Sequence, residues 1–456
     1  MIRLQSENGL LYVPMLQSSL KGIKNTGYLW SRSIISYIEQ GMAIESGNGI
    51  NHLLNLLLHR TAPASKIKLR TMTDLVRRHG EQYIDEQVSW GNRVLKEQGW
   101  NPESALPYEG TIIDFHAQEV GSTWLSCGNN LTDEQEKAKV DDLIKDINSK
   151  RLPEAQIPAG SIKPYQVEPD DSLTIKVSLD GVNAKRQKDK RPKGIHEEEP
   201  CFIQDQNDGP ADYGRAPDPK KRPKVETSVA VIEVDQQRYV FAARNMFEAC
   251  KLVLAFLLYH QLLVNRNIVF FVDGGKDIRK CINDIFAFCT HQVVLDWFHL
   301  KKHCLEWLSM SLYGGKQNRE MQYTVRRQLF HILWVGNIEG TIAYLESLDS
   351  SKIKSRQRLD ELISYLRNKD SEIACYAVRR SLGLRISSNR VEKANDIIVA
   401  ERQKGKGMSW SRQGSWSLAN ITTMYLNHEA DQWHREGTIS FQMYDSYGQL
   451  FVPQAS

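Results

Sequence analysis

Leu173-Thr-Ile-Lys-Val-Ser-Leu-Asp180-Gly181 and Asn267-Ile-Val-Phe-Phe-Val-Asp273-Gly-Gly275 are the stretches whose reading decides the fold. The first alternates apolar and polar residues, the period of a strand with one buried face. The second is an apolar run of strand length. Working outward, Ser228-Val-Ala-Val-Ile-Glu-Val234 followed by Arg238-Tyr-Val-Phe-Ala242 reads as a hairpin, and Met246 to Leu263 as a buried helix. Asp277 to Phe288 is an amphipathic helix, and Gln292-Val-Val-Leu-Asp296 a further apolar strand. Three strands, helix, strand, helix, strand predict an α/β fold with a mixed sheet and helices on both faces.

The Pro-rich stretch 152–172 cannot be an element interior and is read as a linker. Before it, 1–151 is expected to be mainly helical, with an apolar run at Ile50 to His59 and helical spacing from Thr73 to Trp100 interrupted at Gly80. That interruption allows a helix-turn-helix, or a helical hairpin without DNA. Asp133 to Asn148 is a helix with Thr132 as N-cap and Gln135 completing a capping box. After the first part of the core, 173–297, the strands stop. Residues 298–386 carry Leu, Ile, Arg and Lys at helical spacing, an all-helical insertion. Ser387-Ser388-Asn389 then opens the last part, 387–456, as an N-cap for a helix from Arg390 to Gln403 that ends at Gly405 and Gly407.

With 456 residues, 41% hydrophobic and 25% charged, the chain can bury a full core in two or three domains. Lys plus Arg is 59 against 55 for Asp plus Glu, a net charge of +4 that by itself announces no partner. The placement of charge matters more. Lys185, Arg186, Lys188, Lys190, Arg191 and Lys193 open a segment that Pro219-Lys-Lys-Arg-Pro-Lys224 closes, a basic surface loop between strands. The closing run resembles a nuclear-import signal, but a phosphate contact or a solvated loop is the favoured reading of so short a basic run. Seven cysteines without a Cys-x-x-Cys pair argue against a disulfide framework and a zinc finger. No apolar run nears 18 residues, and Met1 to Leu20 lacks the layout of a secretory signal, so a cytoplasmic protein without membrane contact is expected.

Asp180 and Asp273 each end an apolar strand before glycine, where a strand fixes a carboxylate and Gly permits close approach. If the first and fourth strands are neighbours, about 4.8 Å apart, the two share a cation. A lone Asp in such a place is more often a turn residue, and it is the joint occurrence with Glu392 that favours function. Glu392 is the best-placed third acid, with Asp396 and Glu401 as rivals on its helix; Asp296 competes with Asp273 for the second place. An all-carboxylate set implies Mg²⁺ or Mn²⁺. Two ions about 3.5 to 4 Å apart would activate a water or 3′-hydroxyl and stabilise the leaving oxygen of a phosphodiester. His299 reads as a helix-start or core-orienting residue sooner than a ligand. Arg390, Lys393 and Arg402 flank the third acid and are candidates to hold phosphates. Trp410 and Trp416 either stack on an unpaired base or pack in the core.

Val-Ser-Leu-Asp180-Gly, Phe-Phe-Val-Asp273-Gly-Gly, Val-Val-Leu-Asp296-Trp-Phe-His299 and Ser-Ser-Asn-Arg390-Val-Glu392-Lys, with Gly407-Met-Ser-Trp410, together resemble the DDE transposases of bacterial insertion sequences, and most of all those allied to the Mutator-like group. The resemblance spans roughly 172–425. Asp273 lies 93 residues after Asp180, and Glu392 lies 119 after Asp273, spacings that suit a core with a long loop and an insertion. The family implies a ribonuclease-H-like fold, interrupted by helices before the Glu helix. It implies two-metal cleavage and joining of double-stranded DNA, at terminal inverted repeats and target, by Asp180, Asp273 and Glu392, with Asp296 and His299 in support. A homo-oligomer on DNA, nucleoid-associated in a bacterium, goes with that activity. A related nuclease that does not join ends, and a domesticated DNA-binding protein with idle chemistry, remain open.

Overall fold

A computed structural model describes residues 2–6, 9–13, 32–45, 47–57, 68–111, 133–153, 156–157, 174–187, 223–234, 236–263, 267–289, 291–405 and 408–444. Thr132, the basic positions 188, 190, 191 and 193, the run 219–222 and the stretch 158–173 lie outside the described residues. The first elements are an antiparallel strand pair, β1 (Ile2–Ser6) and β2 (Gly9–Val13), and the helices α1 (Arg32–Ile44), α2 (Gly47–Leu57), α3 (Leu69–Glu97) and α4 (Asp133–Ser149).

α3 is one helix of 29 residues that runs through Gly80, so the interruption expected there is absent and the helix-turn-helix reading goes with it. The glycine answers close packing instead of a turn. A Cβ at Gly80 would lie 2.5 Å from the Cα, Cβ and carbonyl oxygen of Ser417, whose hydroxyl donates to the Arg77 carbonyl at 3.0 Å. Glycine costs a helix about 1 kcal/mol relative to alanine, which a well-packed 29-residue helix absorbs.

The mixed sheet contains β3 (Thr174–Lys185), β4 (Lys224–Val234), β5 (Gln237–Ala243), β6 (Asn267–Val272) and β7 (His291–Leu295) in the order β5-β4-β3-β6-β7. β3, β6 and β7 run parallel, and β4 pairs with β5 antiparallel. α5 (Met246–Tyr259) links β5 to β6, and α6 (Lys276–Ile285) links β6 to β7. β6 is apolar from Ile268 to Val272 because both its faces are covered. Phe270 meets Phe286 beyond α6 on one side, while Val269 and Phe271 pack with Val294 and Ala374 on the other. α5 is buried around most of its circumference, which is why it reads as apolar without a stripe. At the sheet edge, the Asn427 side chain donates to the Val240 carbonyl and accepts from its N–H at 2.9 and 3.0 Å, closing backbone groups that an edge strand would leave open.

Between β7 and the Glu392 helix lie α7 (Trp297–Ser311), α8 (Arg319–Trp334), α9 (Ile338–Glu346), α10 (Arg356–Asn368) and α11 (Tyr376–Ser381), the helical insertion expected from the sequence. It has its own core, with Leu300, Cys304, Leu308, Leu329, Leu345, Leu359 and Leu366 fully buried, and the Tyr376 hydroxyl ties it to the sheet by donating to the Leu295 carbonyl at 2.9 Å. α12 (Asn389–Asn395) continues as a π-helical turn, Asp396–Ala400, into α13 (Glu401–Gln403); α14 (Arg412–Leu426) and α15 (Ala430–Glu436) follow.

The chain divides into two compact units. One comprises Met1–Ile84, Val182–Thr227 and Asp396–Thr422; the other comprises Asp85–Gly181, Ser228–Asn395 and Thr423–Ser456. None of the five boundaries falls in the Pro-rich stretch. Packing instead reaches into it: Ile157 is 3% exposed against Ile147, Val335 and Val378, and its N–H donates to the Asn148 side chain at 2.8 Å. No described helix is long and apolar enough to cross a membrane.

Candidate active site

The β3–β6 ladder ends at Leu179↔Val272, so Asp180 and Asp273 are the next residues on two adjacent parallel strands, at one level of the sheet. Asp273 ends its strand as expected. Its Oδ1 accepts from the Gly275 N–H at 2.9 Å, and Gly274 takes φ +92°, where a side chain would be strained and its Cβ would meet Leu295 at 2.8 Å. Asp180 does not end its strand: β3 continues to Lys185, because Val182 and Ala184 keep the buried alternation going. It stands where the β6 partner stops. Asp180 Oδ1 accepts from the Gly181 N–H at 2.7 Å, and Oδ2 from the Asn395 side chain at 2.6 Å.

Burial first, and then the charge of Asp273, push the Asp180 carboxyl up to about 6; Glu392 adds to the rise, while the Gly181 N–H and His299 oppose it. The acids thus lie in one another's field. Glu392, on α12, is 47% exposed at its side chain and turns toward His299, whose Nδ1 is 3.4 Å from Glu392 Oε1 and 3.3 Å from Asp296 Oδ1. That nitrogen sits between two carboxylates without a well-aligned hydrogen bond to either. The Asp296 interaction leads in raising the His299 pKa, against burial, with the charges of Glu392 and Asp273 adding to it. A raised pKa favours the imidazolium, which offers the acids a counter-charge.

Asp296 is 1% exposed and caps α7: Oδ1 accepts from the His299 N–H at 2.7 Å, and Oδ2 from the Ser388 N–H at 2.6 Å and its hydroxyl at 3.2 Å. Burial alone would raise its pKa, but the His299 side chain, together with the His299 and Ser388 N–H groups, outweighs it and holds the carboxyl below the usual range. With both oxygens engaged, Asp296 fixes the entry of α7 to the entry of α12, and Asp273 is the freer of the two rivals for the second acidic place. Among the described residues, the set of three whose ligand atoms lie within 4.8 Å of one another is Asp296, His299 and Glu392. Asp180, Asp273 and Glu392 share a field but do not form such a set in this side-chain arrangement.

Of the residues expected to meet nucleic acid, Lys185 is exposed at the end of β3, with Arg186 half-buried beside it. Arg390 is exposed, its Nε 3.5 Å from Glu233 Oε1, and Lys393 is exposed one turn along the helix. Arg402 requires a correction. It is 7% exposed, donates from Nε to the Met42 carbonyl at 2.8 Å, and lies over the Trp410 ring at 5.2 Å, so its charge is engaged inside the protein. Trp410 in turn is half-buried and donates to the Gln403 carbonyl at 3.0 Å, and Trp416 donates to the Glu226 carbonyl at 2.8 Å; both pack.

Two participants had escaped the sequence reading. Asn395 could have been found, since it lies three residues after Glu392 on the same helix face. Tyr365 had no signal: its hydroxyl is buried without a partner, 3.6 Å from where a Gly274 Cβ would stand, and Lys369, ion-paired with Glu372, closes the same corner. No family model matches the chain, and no curated protein does.

Proposed function

We propose that the chain is a DNA transposase of the DDE type, with a ribonuclease-H-like core, that cleaves and joins DNA strands with Mg²⁺ or Mn²⁺. The observation that carries this reading is the pair Asp180 and Asp273 on adjacent parallel strands, with Glu392 brought into their field from beyond a helical insertion. A mixed sheet interrupted by helices just before the Glu helix is the architecture the resemblance implies.

The donor set fits a hard divalent ion, because Asp180, buried in the field of Asp273 and Glu392, gains most from a cation when it ionises. Asp180, Asp273 and Glu392 would hold it, with Glu392 turning from His299, as its exposed side chain permits. Bound there, the metal supplies water or 3′-hydroxyl activation and leaving-oxygen stabilisation. The chain's own groups aim Asp180 through the Gly181 and Asn395 donors, and offset part of the negative charge with His299. Arg390 and Lys393 on α12, and Lys185, are exposed cations for the phosphates.

The test uses labelled duplexes carrying the sequences that flank the gene, incubated with the full chain and Mg²⁺. Nicked and joined products are expected, and their loss by at least about 100-fold in Asp273→Asn and Glu392→Gln, with duplex binding retained. Variants as active as the parent would remove the acids from the chemistry. Cleavage without joined product would make the chain a nuclease.

A further inference from the structure

α4, α8 and α11 enclose an open cleft of about 670 Å³, and none of its lining residues belongs to the acid site. Lys150 and Arg151 come from the end of α4, Arg327 and His331 from one face of α8, and Arg380 from α11, with Trp334 against the buried cluster at the base. The single carboxylate on this surface, Asp146, is already held by Lys150 at 2.8 Å. Arg151, Arg327 and Arg380 have no carboxylate partner among the described residues, whereas Arg356, Arg358 and Arg367 elsewhere on the insertion are each paired with an acid. Three guanidiniums without acidic partners on one concave surface repel one another, and an anion seated between them would relieve that.

We propose that this cleft binds the phosphodiester backbone of duplex DNA, as a contact surface separate from the acids. The choice of DNA as the polyanion rests on the reading of the chain as a DNA-processing enzyme. The cations come from three helices around an open groove, so they suit a rod of repeating charge better than an enclosed small anion. Arg327 and His331 are four residues apart on α8, about 6 Å along its axis, a spacing that lets one helix follow successive phosphates. Arginine in this setting positions DNA without reading its sequence.

Binding of the full chain to a 40-base-pair duplex is measured by fluorescence anisotropy across a salt series in EDTA, so that turnover plays no part. Arg327→Gln/Arg380→Gln should flatten the slope of log Kd against log salt by about 0.9 for each phosphate contact removed, with scrambled duplexes affected equally. Both side chains are exposed, so an unchanged unfolding midpoint is expected alongside. Adding Arg151→Gln should flatten the slope further. The paired arginines supply the control, and Arg356→Gln/Arg367→Gln should leave the slope unchanged. An unchanged slope in the first variant overturns the proposal, as does an equal fall in the control or displacement of the duplex by low-millimolar inorganic phosphate. An unchanged slope in a chain that still cleaves DNA would sink the cleft alone; a flattened slope in a chain that never cleaves would sink only the enzymatic reading.

Discussion

Replacing Asp180 by Asn should stabilise the metal-free protein at neutral pH while abolishing the proposed strand cleavage. A carboxyl ordinarily near 3.8 and held at about 6 in the folded chain binds more protons when folded than when unfolded throughout that interval. Stability from this group is therefore intact below the lower value, falls as pH rises through the window, and is fully lost above about 6. Two pKa units correspond to about 3 kcal/mol, which partial solvent screening reduces to about 2 kcal/mol. Asn keeps the bond with Asn395 by presenting its own oxygen, but it then turns an amide N–H₂ toward the Gly181 N–H, a loss of about 1 kcal/mol. The variant should accordingly be more stable than the parent by about 1 kcal/mol at pH 7.5 in EDTA, and less stable by a similar amount at pH 4. Urea unfolding at the two values reads this directly. Saturating Mg²⁺ at pH 7.5 should restore the parent's lead, since a ligand at 100 times its Kd stabilises by about 2.7 kcal/mol. A difference that does not change sign with pH would refute the argument that Asp180 is ionised against its surroundings.

Asp296→Ala should leave the Ser388 N–H and the first turn of α7 without acceptors. A loss of about 3 kcal/mol in urea unfolding is expected, with a downward shift of the His299 titration seen by NMR. Arg402→Ala should lower stability by about 2 kcal/mol through the lost bond to Met42 and the lost Trp410 contact, with no change in the salt slope of DNA binding. A flatter slope at unchanged stability would return Arg402 to the phosphates.

The sheet was legible because its signals are local. Alternation in β3, the apolar run Ile268 to Val272 of β6 and the glycines after Asp273 each reflect the burial or backbone freedom of a few consecutive residues. Gly80 misled because a glycine in a helical pattern has two physical causes, a turn or a close neighbour, and the neighbour, Ser417, is 337 residues away. Arg402 misled for a similar reason, since its acceptor on Met42 is 360 residues distant. Asp180, Asp273 and Glu392 could be nominated from their places on strands and helix. The orientation of Glu392 toward His299, and the engagement of both Asp296 oxygens, depend on how α7 and α12 meet, which no local pattern records.

Asp296 accepts from Ser388 across 92 residues of chain, so the insertion departs from and rejoins the sheet through one closed neck. Closing a loop twice as long costs only about 0.6 kcal/mol more, and the insertion fills its own core. Helices can therefore be gained or lost there over evolutionary time while the acids keep their places. The exposed turn at Gly314-Gly315, between α7 and α8, is where a foreign module could be spliced into the protein without disturbing that neck.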